Sequence, residues 1–215
     1  MTDRLILTLG IIGGTGNEGQ GLAYRWAKAG YHIILGSRTP DKAERIAAEL
    51  NERLDAVAVQ GVGNAEAAES ADIVVLTVPY SAHAATLESI KDKLKGKVLV
   101  DVTVPLVPPD VDVVHPPAAG SAAQEAQTIV GDGAFVVAAF QNVSHLHLKE
   151  DHPVPCDVLV CGDNDASRQQ VLHLVKAAGL VGWDAGVLQN AIVLEGLTSI
   201  LIGINKRYKM SAAGI

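Results

Sequence analysis

The sequence predicts a doubly wound α/β fold with a small C-terminal helical extension, and three observations predict it. Apolar runs of strand length alternate with segments of helical period. The apolar residues are chiefly Val, Ile, Leu and Ala, with aromatics only 4% of 215 residues, which suits buried parallel strands covered by helices. A glycine-rich turn separates the first strand from the first helix.

Leu7–Ile12 reads as the first strand. The next helix has its apolar face at Leu22, Ala23, Trp26 and Ala27 and stops at Gly30. His32–Gly36 is the second strand. Thr39, Pro40 and Asp41 then supply an N-cap, a first-turn proline and an early acid. Ala43, Ile46, Ala47, Leu50 and Leu54 continue that helix along one face. Ala56–Gln60 is expected to be a third, shorter strand, and the wholly apolar Ile73–Val78 a central fourth. A helix from about Ser81 to Leu94 leads to a fifth strand, Lys97–Asp101. Five prolines between Val102 and Pro117 exclude regular structure there. Phe135–Ala139 and Val158–Cys161 are two more strands, and Ser167–Ala178 is an amphipathic helix ended by Gly179. From about Leu188 to Tyr208 runs a helix apolar enough to be buried on most sides. The expected division is residues 1–181, a nucleotide-binding domain, and 182–215, a helical segment.

The charge balance is 17 − 24 = −7, opposite to what sequence-independent nucleic-acid binding requires. Charged residues are 19% and hydrophobic residues 48%, enough for a sizeable core. Cys156 and Cys161 have neither redox nor zinc spacing and read as buried thiols flanking a strand. The first apolar run leads into glycines rather than a cleavage site. Ile192–Ile204 is interrupted by Glu195 and is shorter than the ~20 residues of a membrane span. The expectation is a cytoplasmic protein with neither membrane nor nucleic-acid partners.

Gly14, Gly16 and Gly19 form G-x-G-x-x-G between a strand and a helix, the context that gives this motif its meaning. The first glycine permits the turn, the second lets backbone approach a pyrophosphate, and the third lets helix and strand pack closely. The helix N-terminus presents N–H donors to the anion. The reading is a Rossmann-type dinucleotide site, with a flavin or S-adenosylmethionine site as the alternative. At the end of the second strand an NAD site would carry an acid. Here stand Ser37 and Arg38, with Lys42 in the next helical turn. A cation there opposes the helix dipole by ~0.3–1 kcal/mol, a penalty that a bound 2′-phosphate reverses. These three residues favour NADP.

Other patterns carry less. Tyr24-x-x-x-Lys28 has the spacing of a short-chain dehydrogenase dyad, but it lies on the first helix, so coincidence is the reading. His145, His147 and His152 with Glu150 and Asp151 read as a solvated loop rather than a metal site. Asp163-Asn164-Asp165 lacks the rest of a calcium loop and reads as a helix cap. No nucleophile or acid–base constellation stands out. That absence points to hydride transfer between two cofactors, which needs two rings held face to face in a dry cleft. Thr77–Tyr80, Thr103–Pro105 and Phe140–Ser144 follow strand ends, where such a sheet places ligands. Rival readings are an NADP-dependent imine or ketone reductase using Tyr80 or His83 as proton donor, and a non-catalytic NADP-sensing protein.

Over nearly its whole length the chain resembles the F420-dependent NADP oxidoreductases. The resemblance is carried by Gly13–Asn17, Gly36–Arg38 with Lys42, Val75–Pro79, Val160–Asp163 and Asp184–Gly186. It implies a cytoplasmic, homodimeric enzyme moving hydride between NADP(H) and the deazaflavin coenzyme F420, with the C-terminal part completing the deazaflavin cleft. It also implies roles by position. Thr15, Gly16, Asn17 and Glu18 meet the pyrophosphate region, and Ser37, Arg38 and Lys42 hold the 2′-phosphate. Val78, Pro79 and Val104 line the nicotinamide end. Gln141, Asn142 and Val143 lie near the deazaflavin, and Ala213 falls where the family's tail reaches it. Some relatives have histidine at the position of Gln141, so no acid–base role is given to it. Lys206, Arg207 and Lys209 read as complementing a helix C-terminus rather than attracting an acidic tail.

Overall fold

The computed structural model describes residues 7–210 and 213–214. Its strands are β1 (Thr8–Ile12), β2 (His32–Ser37), β3 (Val59–Gly63), β4 (Ile73–Leu76), β5 (Val98–Asp101), β6 (Phe135–Ala138), β7 (Asp157–Gly162) and β8 (Val181–Asp184). Its α-helices are α1 (Asn17–Lys28), α2 (Pro40–Leu54), α3 (Asn64–Ser70), α4 (Tyr80–Ile90), α5 (Ala122–Val130), α6 (His145–Leu148), α7 (Asp165–Ala177) and α8 (Ala191–Tyr208). The strands form one sheet in the order β3-β2-β1-β4-β5-β6-β7-β8. The first six are parallel; β7 runs antiparallel to β6, and β8 parallel to β7. The order 3-2-1-4-5-6 is that of a Rossmann sheet.

Strand alternation divides the core. Leu9, Ile11, Ile73 and Val75 face α1, α2 and α7, with Trp26 and Phe140 stacked edge-to-face at 5.6 Å. Ile12, Val74 and Leu76 face the other way, against α3, α4, α5 and the start of α8. Because β2 and β4 flank β1 and their connections leave on opposite sides, the chain parts beyond the carboxyl end of β1. That crevice is where an open α/β sheet takes its ligand.

Several boundaries differ from the sequence expectation. The third strand lies three residues further on than Ala56–Gln60. Asn51 takes the N–H groups of Ala58 and Val59 and donates to the Val59 carbonyl, so the chain before Val59 is tied to the end of α2. The strand runs through Gly61, where a Cβ would collide with the α2 backbone at Ala43 and Glu44. That glycine marks close backbone approach rather than a turn. Helices α3, α5 and α6 and strand β8 have no counterpart in the sequence expectation, which read the α6 segment as a solvated loop, and the 181/182 division falls at the start of β8. Helix α8 exposes Ile192, Val193 and Ile200, so it is buried on one side rather than most. The caps behave better. Thr39 precedes α2 with no side-chain bond to it, while Asn164 Oδ1 accepts Ser167 N at 2.9 Å and caps α7.

Candidate functional site

A cleft of about 660 Å³ opens at the carboxyl ends of the parallel strands, within the usual range for small-molecule sites. Its glycine loop is packed as the motif requires. A Cβ at Gly14 would lie 2.8 Å from the Ile11 carbonyl, and one at Gly19 would lie 2.6 Å from the Gly14 Cα. At Gly16 it would meet only the Gly13 carbonyl, at 3.4 Å. Packing thus explains the first and third glycines, while the second leaves room on the ligand side. Gly16 caps α1 without any side-chain bond, so the helix's first N–H groups face the cleft. Glu18, also in the lining, has an Oε1 with no hydrogen-bond partner among the described residues. Burial pushes its carboxyl up to about 8, so at neutral pH it adds no full negative charge beside an incoming phosphate.

Ser37, Arg38, Thr39 and Lys42 line the adenosine end. Buried Ser37 accepts the Thr39 N–H at 3.1 Å, which sets the turn between β2 and α2. Arg38 and Lys42 are exposed and form no ion pair among the described residues. Two unpaired cations next to an uncapped helix N-terminus suit a dianionic monoester. The opposite end is mainly apolar, with Val78, Pro79, Val102, Val104, Leu106, Phe140 and Val143 in its lining. Gln141 joins them, its Nε2 donating to the Asp101 carbonyl at 2.8 Å.

Three of the expected positions lie elsewhere. Gly14 is beneath the loop, its N–H on the carbonyls of Ile11 and Gly36. Asn142 turns away from the cleft and donates to the Asp157 carbonyl at 2.8 Å and to Cys156 Sγ at 3.2 Å. The Ala213 N–H binds Asn205 Oδ1 at 2.7 Å, and Gly214 lies against Pro155 and Cys156. Asn142 and the tail therefore gather at the turn before β7, outside the lining.

Asn64, Thr86, His145 and Thr198 line the cleft although the sequence does not single them out for it. Asn64 is the one a better strand boundary would find: it follows β3, and a strand correctly placed at Val59–Gly63 puts it at a strand end. Its Oδ1 accepts the Gly13 N–H at 3.2 Å. Thr198 sits mid-helix in an apolar segment and carries no local signal.

The histidine-rich segment folds against α1. Arg25 donates to the carbonyls of His147, Leu148, Glu150 and His152, and to that of Ala178. Tyr24 and Lys28 both bind Asp151, so the dyad-like pair is a clasp. Lys149 Nζ reaches Asn17 Oδ1 at 2.7 Å, beside the glycine loop. The rival proton donors are also engaged. Tyr80 Oη donates to Glu125 at 2.8 Å, and His83 is fully buried against Asp101. Near the C-terminus Lys206 pairs with Asp112.

A Rossmann sheet whose cleft joins a phosphate loop, an arginine and lysine past β2 and an apolar far end defines an NADP-type dinucleotide-binding oxidoreductase. A family model described as NADP oxidoreductase, coenzyme F420-dependent, matches residues 8–105. The F420-dependent NADP reductase of Methanocaldococcus jannaschii is 38% identical over 97% of both chains. That of Methanothermobacter marburgensis is 40% identical, also over 97% of both. The chain belongs to the F420-dependent NADP reductase family. The fold recurs in a crystal structure from Arthrobacter sp. FB24, with a TM-score of 0.80, 23% identity, and 97% and 99% of the two chains covered.

Proposed function

We propose that the protein is an oxidoreductase transferring hydride between NADP(H) and the deazaflavin coenzyme F420. The supporting observation is a cleft with cations at one end and apolar walls at the other, where one candidate proton donor, Tyr80, is hydrogen-bonded to Glu125 and the other, His83, lies buried behind the lining against Asp101. An imine or ketone reductase would need a donor free to reach its substrate, and a sensor would need no second ring site. When bound, nicotinamide C4 and deazaflavin C5 supply the two ends of the hydride transfer. The chain's own work is positioning. Arg38, Lys42 and Ser37 would hold the 2′-phosphate, and the Gly16–Glu18 backbone the pyrophosphate. Val78, Pro79 and Val104 would flank the nicotinamide and exclude water. Gln141 and Val143 would border the deazaflavin, with α8 completing the wall through Thr198. Asn142 and Ala213 would act only indirectly, by fixing the turn before β7.

The proposal includes a cytoplasmic homodimer without membrane or nucleic-acid partners. Leu188–Tyr208 is long and apolar enough to cross a membrane. Its Glu195, however, is 2% exposed and accepts the N–H groups of Ala122 and Ala123 at 2.7 and 3.0 Å, which docks the helix on the domain. The apolar residues left on its outer face, with Trp183 and Val187, suit a second subunit. Mixing the protein with NADPH and oxidised F420 should bleach the deazaflavin absorbance. Absence of bleaching would overturn the assignment.

A further inference from the structure

We propose that His83 is a positioning residue for the reacting end of the cleft, acting through Asp101 on the segments that form its wall. This rests on the reading of that end as the nicotinamide and deazaflavin site.

His83 and Asp101 are both fully buried, with Nε2 and Oδ2 2.8 Å apart. Asp101 ends β5 and is the junction of the wall. Its other carboxylate oxygen accepts the Thr103 N–H at 2.9 Å, and its carbonyl accepts Gln141 Nε2 at 2.8 Å. The Gln141 carbonyl in turn accepts the Thr198 hydroxyl at 2.8 Å. Thr103, Gln141 and Thr198 all line the cleft, and they come from the end of β5, the end of β6 and α8. The Asp101 carboxylate thus fixes the turn at Thr103 directly, and the same residue's carbonyl, through Gln141 and Thr198, links the end of β6 and α8 to it.

A carboxylate with no exposure needs a partner to remain where it is. His83 is that partner, and it stands behind the cleft lining rather than in it, so it acts at one remove. Its Nδ1 is buried and has no hydrogen-bond partner among the described residues, which leaves the Asp101 bond as the ring's polar engagement. The groups facing it are Asp101 from β5, Glu125 from α5, Glu195 from α8, and Tyr80 from its own helix at 6.0 Å between ring centroids. Burial opposes a charge on the imidazole, but the surrounding carboxylates outweigh it and hold the pKa above the ordinary histidine value. The imidazolium is therefore retained to higher pH than in a free histidine and is lost as pH rises through that raised value.

The test compares His83→Leu and His83→Gln with the wild type in NADPH-dependent F420 reduction and in binding of 2′,5′-ADP, which probes the adenosine half alone. With the wall released, His83→Leu should lose about ten- to a hundredfold in kcat and keep its 2′,5′-ADP affinity. His83→Gln can still donate to Asp101 and should recover part of kcat, while lacking the wild type's fall in kcat on the alkaline side. A folded His83→Leu with wild-type kcat would overturn the proposal, as would a parallel loss of 2′,5′-ADP binding. Should His83→Leu fail to fold, a His83→Gln profile identical to the wild type's would overturn it. Failure of the wild type to reduce F420 would instead refute the functional reading.

Discussion

Arg38 and Lys42 stand at the cleft as cations without carboxylate partners among the described residues, whereas Arg45 on the same helix as Lys42 is paired with Glu49 at 2.9 Å. The hydroxyl-bearing Ser37 and Thr39 share the cleft lining with Arg38 and Lys42. Replacing Arg38 leaves a bound 2′-phosphate with one cation where it had two. Arg38→Ala should weaken NADPH by ~2–4 kcal/mol and leave NADH affinity nearly unchanged, as read by titration of nicotinamide fluorescence. Equal losses for both nucleotides would remove the phosphate-binding role. This preference is legible in the residues themselves, because strand end and helix start are marked by His32–Gly36 and Thr39–Pro40. The fate of Asn142 is not legible. Whether an amide at a strand end faces ligand or a neighbouring turn depends on Asp157 and Cys156, which the fold brings to it.

At the scale of elements, the segment 145–152 is held to α1 chiefly by one guanidinium. Arg25 serves five carbonyls, four of them in the short segment that carries Lys149 to Asn17. Arg25→Ala should cost about 1.5–3 kcal/mol in urea unfolding and speed amide exchange in residues 145–152 well beyond that in β1 or β4. Unchanged exchange there would mean the segment is held by its apolar contacts, such as Leu148 under Gly21. The regular strands and long helices are readable because their periods are strong, as in Ile73–Leu76 and Pro40–Leu54. The elements that escape have weak or mixed signals. Asn64–Ser70 is seven residues rich in alanine and glutamate, and Val181–Asp184 alternates valine and tryptophan with glycine and aspartate. Their placement depends on partners: α3 packs on β1 at Gly10, and β8 pairs with β7.

For the molecule as a whole, the exposed apolar face near the C-terminus is the feature the isolated subunit leaves unexplained. Val193 is 64% exposed and Ile200 49%, on a helix that also borders the cleft through Thr198. Placing Val193→Asp and Ile200→Asp together should leave the fold intact but convert the proposed dimer to monomer in sedimentation velocity. A wild type that already sediments as a monomer would refute the dimer. Such a face is hidden in the sequence, because the helix's composition suggests burial on most sides and composition does not say against what. Glu195 shows how far docking within the subunit goes: it plugs the start of α5 from the inner side of α8. A chain shortened to end before residue 190 would therefore lose that plug. It would bare two amide donors in the middle of the protein and remove one rim of the cavity at the same stroke.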